Sequence, residues 1–140
     1  MRALSGFLNV NKPLGCTSMD VVRLAKKLTG QRRVGHGGTL DPHASGVLPL
    51  CFGRATRTME FLINSSKIYR FWVTLGITTD TYDQQGKILE ERDIGGITRD
   101  VVEGALGSFR GIVDQVPPMY SALKQGGQRL YALARRGEIV

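Results

Sequence analysis

At 140 residues the chain has the length of about one domain, enough to bury a single ordinary core. Its 41% hydrophobic and 22% charged residues exclude a disordered or fibrous chain; no apolar run nears the roughly 20 residues of a membrane span, and MRALSGFLNVNKP lacks the apolar core of a signal peptide, so the expected place is the cytoplasm. The net charge of +7 is unevenly placed: residues 1–70 carry 11 Lys and Arg against 3 acids, net +8, and residues 71–140 carry 8 against 9, net −1. That asymmetry suits a polyanion-binding face in the first half, nucleic acid above all, as well as it suits a plainly solvated basic surface. Cys16 and Cys51 match no ligand pair or disulfide framework and read as reduced core or near-core residues.

In chain order, GFLNVNKPLG predicts a strand closed by a Pro-Gly turn. TSMDVVRLAKKLTG predicts a helix capped by Thr17 or Ser18, with Asp20 in its first turn, Val21, Leu24, Ala25 and Leu28 on one face, and Gly30 at its end. The stretch RVGHGGTLDPHASGVLPLCFGRAT is too rich in glycine and proline to predict a regular element. ATRTMEFLINS predicts a short amphipathic helix. KIYRFWVTLGI predicts a strand from the alternation of Tyr69, Phe71, Val73 and Leu75. TDTYDQQGK is a turn, KILEERD a second strand, and ITRDVVEGALGSFRG a helix opened by Thr98. IVDQVPPMYSALKQGGQRLYALARRG predicts a strand, a Pro-Pro break, a strand, a Gly-Gly turn and a last helix. With no repeat and no linker, the expected class is α+β, a mixed and mainly antiparallel sheet with flanking helices.

The glycine-rich stretch fails the common motifs. GHGGTL has Leu40 where a dinucleotide fingerprint needs glycine, and no G-K-[ST] follows. HASGV is no nucleophile elbow, since His43 replaces the first glycine, and Ser45 reads as a local hydrogen-bonding residue. His36, His43 and Cys51 stand at intervals that match no zinc site, and Tyr82 and Gly86 break a calcium loop beginning at Asp80. Asp41 is set apart: glycines precede it, Pro42 disfavours helix at it, and Arg32, Arg33, His36, His43, Arg54 and Arg57 are its neighbours in sequence. A positive surround would keep its carboxylate ionised, as a nucleophile or base requires. Making a turn is the commoner task of Asp before Pro, and both remain open from the residues alone. Glycosidic chemistry ordinarily uses two carboxylates, and no second acid is placed like Asp41.

Four blocks in order, GFLNVNKPLGCTSMDVV, GHGGTLDPHASGVLPLCFGRATR, KIYRFWVTLGITTDTYDQQG and QVPPMYSALKQGGQRLYALARRG, resemble the TruB family of pseudouridine synthases over nearly the whole chain. The resemblance implies an enzyme that converts a uridine of the tRNA T-loop to pseudouridine with neither cofactor nor metal. It carries the catalytic role to Asp41, stacking on the target base to Tyr69 of the K-x-Y-R block, insertion into the RNA loop to His36, and RNA contact to Arg70. Lys12, of the NKP block, supports the catalytic loop or touches the RNA backbone. The implied partner is the tRNA T-arm, bound in a salt-sensitive way, by a monomer. The common form of the second block has Thr where this chain has Gly37, a departure of little expected consequence.

Length is the larger departure. Family members are roughly twice as long, and a later Y-I-R block, whose arginine pairs with the catalytic aspartate, is missing. The chain is therefore expected to be the N-terminal portion of a catalytic domain, with an open sheet edge and exposed apolar surface. A guide-RNA-dependent relative and an RNA-binding or RNA-folding module without catalysis are the rival expectations.

Overall fold

In a computed structural model of the chain, residues 4–116, 123–134 and 136–138 are described, and they fall into two units, Met1–Tyr69 and Arg70–Val140. The first unit runs β1 (Gly6–Lys12), α1 (Ser18–Thr29), β2 (Val34–His36), β3 (Gly46–Phe52), a 3₁₀ turn over Gly53–Thr58, and α2 (Met59–Ile63). Its sheet is antiparallel in the order β1-β3-β2, with Lys12 opposite Gly46, and His36 opposite Leu50.

The glycine-rich stretch thus contains two strands, one of them central, where no regular element was expected. The run Val47–Phe52 is apolar enough to make a buried strand, and Leu48, Leu50, Cys51 and Phe52 are buried in it. Pro49 masks the pattern. Within a strand a residue's N–H and C=O point the same way, and the Pro49 carbonyl accepts from Gly37 N at 2.8 Å. Its missing N–H therefore falls on the β2 side, just where pairing with β2 stops at His36.

Helix α1 follows its predicted caps. Thr17 caps it, the Thr17 hydroxyl accepting from Asp20 N at 3.1 Å, and Gly30 closes it in the left-handed conformation at φ 67°. The Thr17 hydroxyl and backbone N–H donate in turn to the Asp20 carboxylate at 2.6 and 2.9 Å, and these bonds, the hydroxyl first, hold that carboxyl below its ordinary range. Its buried face is Ser18, Val21, Val22 and Ala25, while Leu24 and Leu28 lie exposed. The expected apolar stripe is therefore rotated, because Ser18–Val21–Val22–Ala25 is an equally good helical set. Val21, Val22 and Ala25 pack on Val34, Leu48, Leu50 and Phe52, with Val10, Cys16 and Leu40 against the edge. At roughly 1.5–3 kcal/mol for each large side chain removed from water, this cluster is the main source of stability in the unit. Both cysteines are free, and burial pushes the Cys51 thiol up, which keeps it protonated.

Gly37 is buried beneath α2, and a Cβ built on it would lie 2.7 and 2.8 Å from Leu62 Cδ1 and Cβ. The position that looked indifferent in sequence is one where Leu62 already fills the space of a side chain.

The second unit runs β4 (Ile77–Thr79), β5 (Ile88–Glu91), α3 (Arg99–Leu106), a 3₁₀ turn over Gly107–Phe109, β6 (Lys124–Gln125), β7 (Gln128–Arg129) and α4 (Leu130–Ala134). β4 and β5 form one hairpin, β6 and β7 another. Gly126 and Gly127, at φ 56° and 82°, make the two-residue turn between β6 and β7 that the Gly-Gly pair predicts. Thr98 caps α3 as expected. Two predicted strands are absent. Residues 66–74 form no regular element, and Ile68, Tyr69, Phe71, Trp72 and Val73 are exposed; 112–116 are likewise irregular. Alternation prepares a segment for a ladder, but no described strand lies beside either one to complete it. The strand predicted after Pro117-Pro118 falls largely on 117–122, outside the described residues. Among the described residues of this unit only Leu130 and Leu133 are buried. No helix of the described residues is long and apolar enough to cross a membrane.

Removing the α1 cap by Thr17→Ala should lower stability by about 1 kcal/mol in urea unfolding. Because the folded-state Asp20 carboxyl is lowered, the cap's contribution is complete above the ordinary aspartate range and disappears as pH falls through the lowered value. Gly37→Thr should cost about 1–3 kcal/mol by overpacking against Leu62, more than the roughly 0.4–1 kcal/mol that a stiffer unfolded chain returns, and the urea midpoint should fall.

A framed aspartate loop as the candidate active site

Residues 37–45 connect β2 to β3 at the sheet end where β1 finishes and α1 begins. Asp41 lies in this loop, exposed, and the backbone on both sides of it is tied down. Leu40 rests its side chain against the core. Its N–H donates to Ser18 Oγ at 2.9 Å, and its carbonyl accepts from the same hydroxyl at 3.0 Å. The Pro42 carbonyl accepts from Gly15 N at 2.8 Å, and the Asp41 carbonyl accepts from Ala44 N at 3.0 Å, closing a turn. Asp41 therefore makes the turn that Asp-Pro predicts and also presents its carboxylate from a fixed loop. A carboxylate so placed can serve as nucleophile or base toward a substrate arriving from solvent.

The positive surround is looser than the sequence suggests. Among the described residues no arginine forms an ion pair with Asp41. Arg33 Nε donates instead to Thr56 Oγ1 at 2.6 Å, and Arg32, Arg54 and Arg57 are exposed, as are Lys26 and Lys27 on α1. Their charge faces water, where it is available to a polyanion at long range.

Lys12 is 0% exposed, and its Nζ donates to the carbonyls of Pro13 and Cys16 at 2.9 and 2.8 Å. Among the described residues the Lys12 side chain is thus turned inward. Its two bonds brace the 13–16 turn, whose Gly15 N–H holds Pro42. His36 ends β2 half-buried, with Nδ1 enclosed and without a hydrogen-bond partner among the described residues. Tyr69, 67% exposed, is the last residue of the first unit, and Arg70, also exposed, opens the second. No described hydrogen bond joins Tyr69 to Asp41. The structure thus gathers Lys12 and Asp41 into one frame and sets His36 next to the loop that carries Asp41. Ser18, a candidate cap in sequence, is the residue whose part in the frame goes unseen there; the Thr-Ser doublet is its one signal, since a helix needs a single cap. Among the described residues no three His, Cys, Asp or Glu side chains converge as a metal site.

Residues 26–140 match the family model described as TruB family pseudouridylate synthase, N-terminal domain. Over 134 residues, 96% of this chain, the sequence is 50% identical to a Clostridium perfringens protein named tRNA pseudouridine synthase B, and 52% identical to one of the same name from Clostridium kluyveri. In both cases 46% of the relative is covered, so the chain spans about half the length of these curated relatives. Among solved structures, one titled as a Cbf5-Nop10-Gar1 complex has a chain that is 30% identical, with a TM-score of 0.57, over 85% of this chain and 31% of that one. That likeness agrees with an incomplete pseudouridine synthase fold of helices and antiparallel sheet. The family model and the half-identical relatives coincide over the framed aspartate loop, and the chain belongs to the TruB family of pseudouridylate synthases.

Proposed function

We propose that this chain is the N-terminal portion of a catalytic domain that isomerises a uridine in the T-loop of tRNA to pseudouridine, with Asp41 as the catalytic residue. The observation that carries the reading is the exposed Asp41 carboxylate on a loop tied at Leu40, Asp41 and Pro42, within a chain half identical to tRNA pseudouridine synthase B proteins. In the reaction the N1–C1′ bond of the nucleoside breaks, the detached uracil turns while bound, and a C5–C1′ bond forms. The C5 proton leaves and N1 regains one, so atoms and electrons balance without oxidant, cofactor or metal. Because the uracil is retained, no second carboxylate is required to expel a leaving group. Asp41 has two chemically complete roles, addition to C1′ or removal of a ribose proton.

A base stacked in RNA is out of reach until it is flipped. His36, next to the loop that carries Asp41, suits insertion into the space the base vacates, and the exposed ring of Tyr69 suits stacking on the flipped uracil. Arg70 and the solvent-facing cations of residues 1–70 suit the phosphates of the T-arm. Lys12 acts inward, bracing the loop. The apolar side chains exposed over 68–73 fit a strand position that further chain would complete, in a protein about twice this length. The 50% identity over 96% of this chain to tRNA pseudouridine synthase B supports a stand-alone tRNA enzyme, which we take to be a cytoplasmic monomer.

Asp41→Asn should abolish pseudouridine formation, by about 1,000-fold or more in kcat, while tRNA affinity stays within about twofold. Single-turnover assays with a parallel filter-binding titration check this. Full activity in the variant would remove Asp41 from the chemistry, and a full-length protein carrying this chain that binds tRNA without turnover would identify a binding module instead.

A further inference from the structure

The function proposed above leaves Ser18 without a part, although it is one of two buried polar side chains in the chain's described residues, at 3% exposed. Its hydroxyl does more than fill space. It accepts from Leu40 N at 2.9 Å and donates to Leu40 O at 3.0 Å, across 22 residues of sequence. One hydroxyl therefore satisfies both backbone groups of the residue that precedes Asp41, as a neighbouring strand would. The helix has no need of it as a cap, since Thr17 fills that place.

We propose that Ser18 is a positioning residue for the isomerisation, acting through the Leu40 backbone to set where the Asp41 carboxylate stands. The inference rests on Asp41 being the catalytic residue. Two links connect the N-terminal end of α1 to the loop on either side of Asp41: Ser18 to Leu40, and Gly15 to Pro42. The Ser18 link holds the Leu40–Asp41 peptide by its carbonyl, the Ala44 N–H holds the Asp41–Pro42 peptide by its carbonyl, and the Gly15 link holds the peptide after Pro42, so the backbone on both sides of Asp41 is restrained. Ser18 itself is anchored by α1, whose Val21, Val22 and Ala25 are in the core. Truncating the hydroxyl leaves the Leu40 N–H and C=O without their partner in a part-buried place, and the loop must shift to hydrate them. A displacement on the order of 1 Å at a reacting group is enough to lower a rate by about a hundredfold. Substrate affinity draws on the dispersed cations and exposed rings instead, and none of those depends on Ser18.

The test compares Ser18→Ala with Cys51→Ala, a truncation at a fully buried β3 residue outside the cluster on which Leu40 packs, in the intact protein well below the midpoint of thermal unfolding. Ser18→Ala should lower kcat by about tenfold to a hundredfold with KM for tRNA unchanged, and should release the Leu40 amide to hydrogen exchange. Cys51→Ala should lower Tm while kcat stays within about twofold and Leu40 remains protected. Equal losses of kcat in the two variants, or a Ser18→Ala kcat within twofold of the unaltered protein, would overturn the inference alone. Turnover that survives Asp41→Asn, or none in the full-length protein that carries this chain, would overturn the function proposed above and this inference with it.

Discussion

The burial of the Val21–Val22–Ala25 face of α1 against Leu48, Leu50 and Phe52 of β3 is the contact on which the candidate site depends. It sets the height of the α1 N-terminus over the sheet, and so the place of Thr17 and Ser18. β3 in turn sets where the 37–45 loop must return, at Gly46 opposite Lys12. A loop whose two ends are fixed by one core, and whose middle is bonded to the helix resting on that core, has little freedom left. The hydrophobic term supplies the free energy and is indifferent to direction; the polar bonds supply the direction and contribute little net free energy each.

That division of labour explains the buried polar groups. Lys12 inside the unit looks costly, since enclosing an ammonium without a carboxylate partner is unfavourable, and two backbone carbonyls at 2.8 and 2.9 Å offset only part of that cost. It braces the turn that carries Gly15, and Gly15 carries Pro42. Ser18 does for Leu40 what Gly15 does for Pro42. The candidate catalytic carboxylate has no such partner among the described residues, and Asp41 is exposed where a substrate can meet it. Rigid backbone beneath an exposed reactive group is the arrangement that preorganised chemistry asks for.

Much of the local structure was legible. Thr17, Asp20 and Gly30 carry cap chemistry that works through immediate neighbours, so α1 lies where its residues say. Gly126-Gly127 dictates its own turn. What escaped were features that need a second segment of chain. The rotated face of α1 depends on where β3 lies, because both apolar stripes are good helical sets. β3 hides behind Pro49, whose missing N–H is tolerable only because β2 ends there. The strand expected over 67–77 has the alternation and lacks a described ladder partner. At the site, Asp41 was conspicuous among its glycines but ambiguous between turn and catalysis until the family resemblance was added. Lys12 stands in the NKP block, but its burial and inward bonds need the fold to be seen. Ser18 was invisible as a clamp, since no local pattern announces a bond to a residue 22 positions away.

The two units differ in how far they explain themselves. The first has a core, a frame and a presented carboxylate; the second has hairpins and a capped helix with few buried side chains, and the exposed stretch through Ile68, Tyr69 and Trp72 leads into it. The central claim is that the framed Asp41 serves uridine isomerisation. Its most direct measurement is tritium release from tRNA labelled at C5 of uridine, because only the formation of a carbon–carbon bond at C5 must expel that hydrogen. Release approaching one equivalent per tRNA by the full-length protein that carries this chain is the expected result; a full-length protein that binds the same tRNA tightly and releases none would contradict the account.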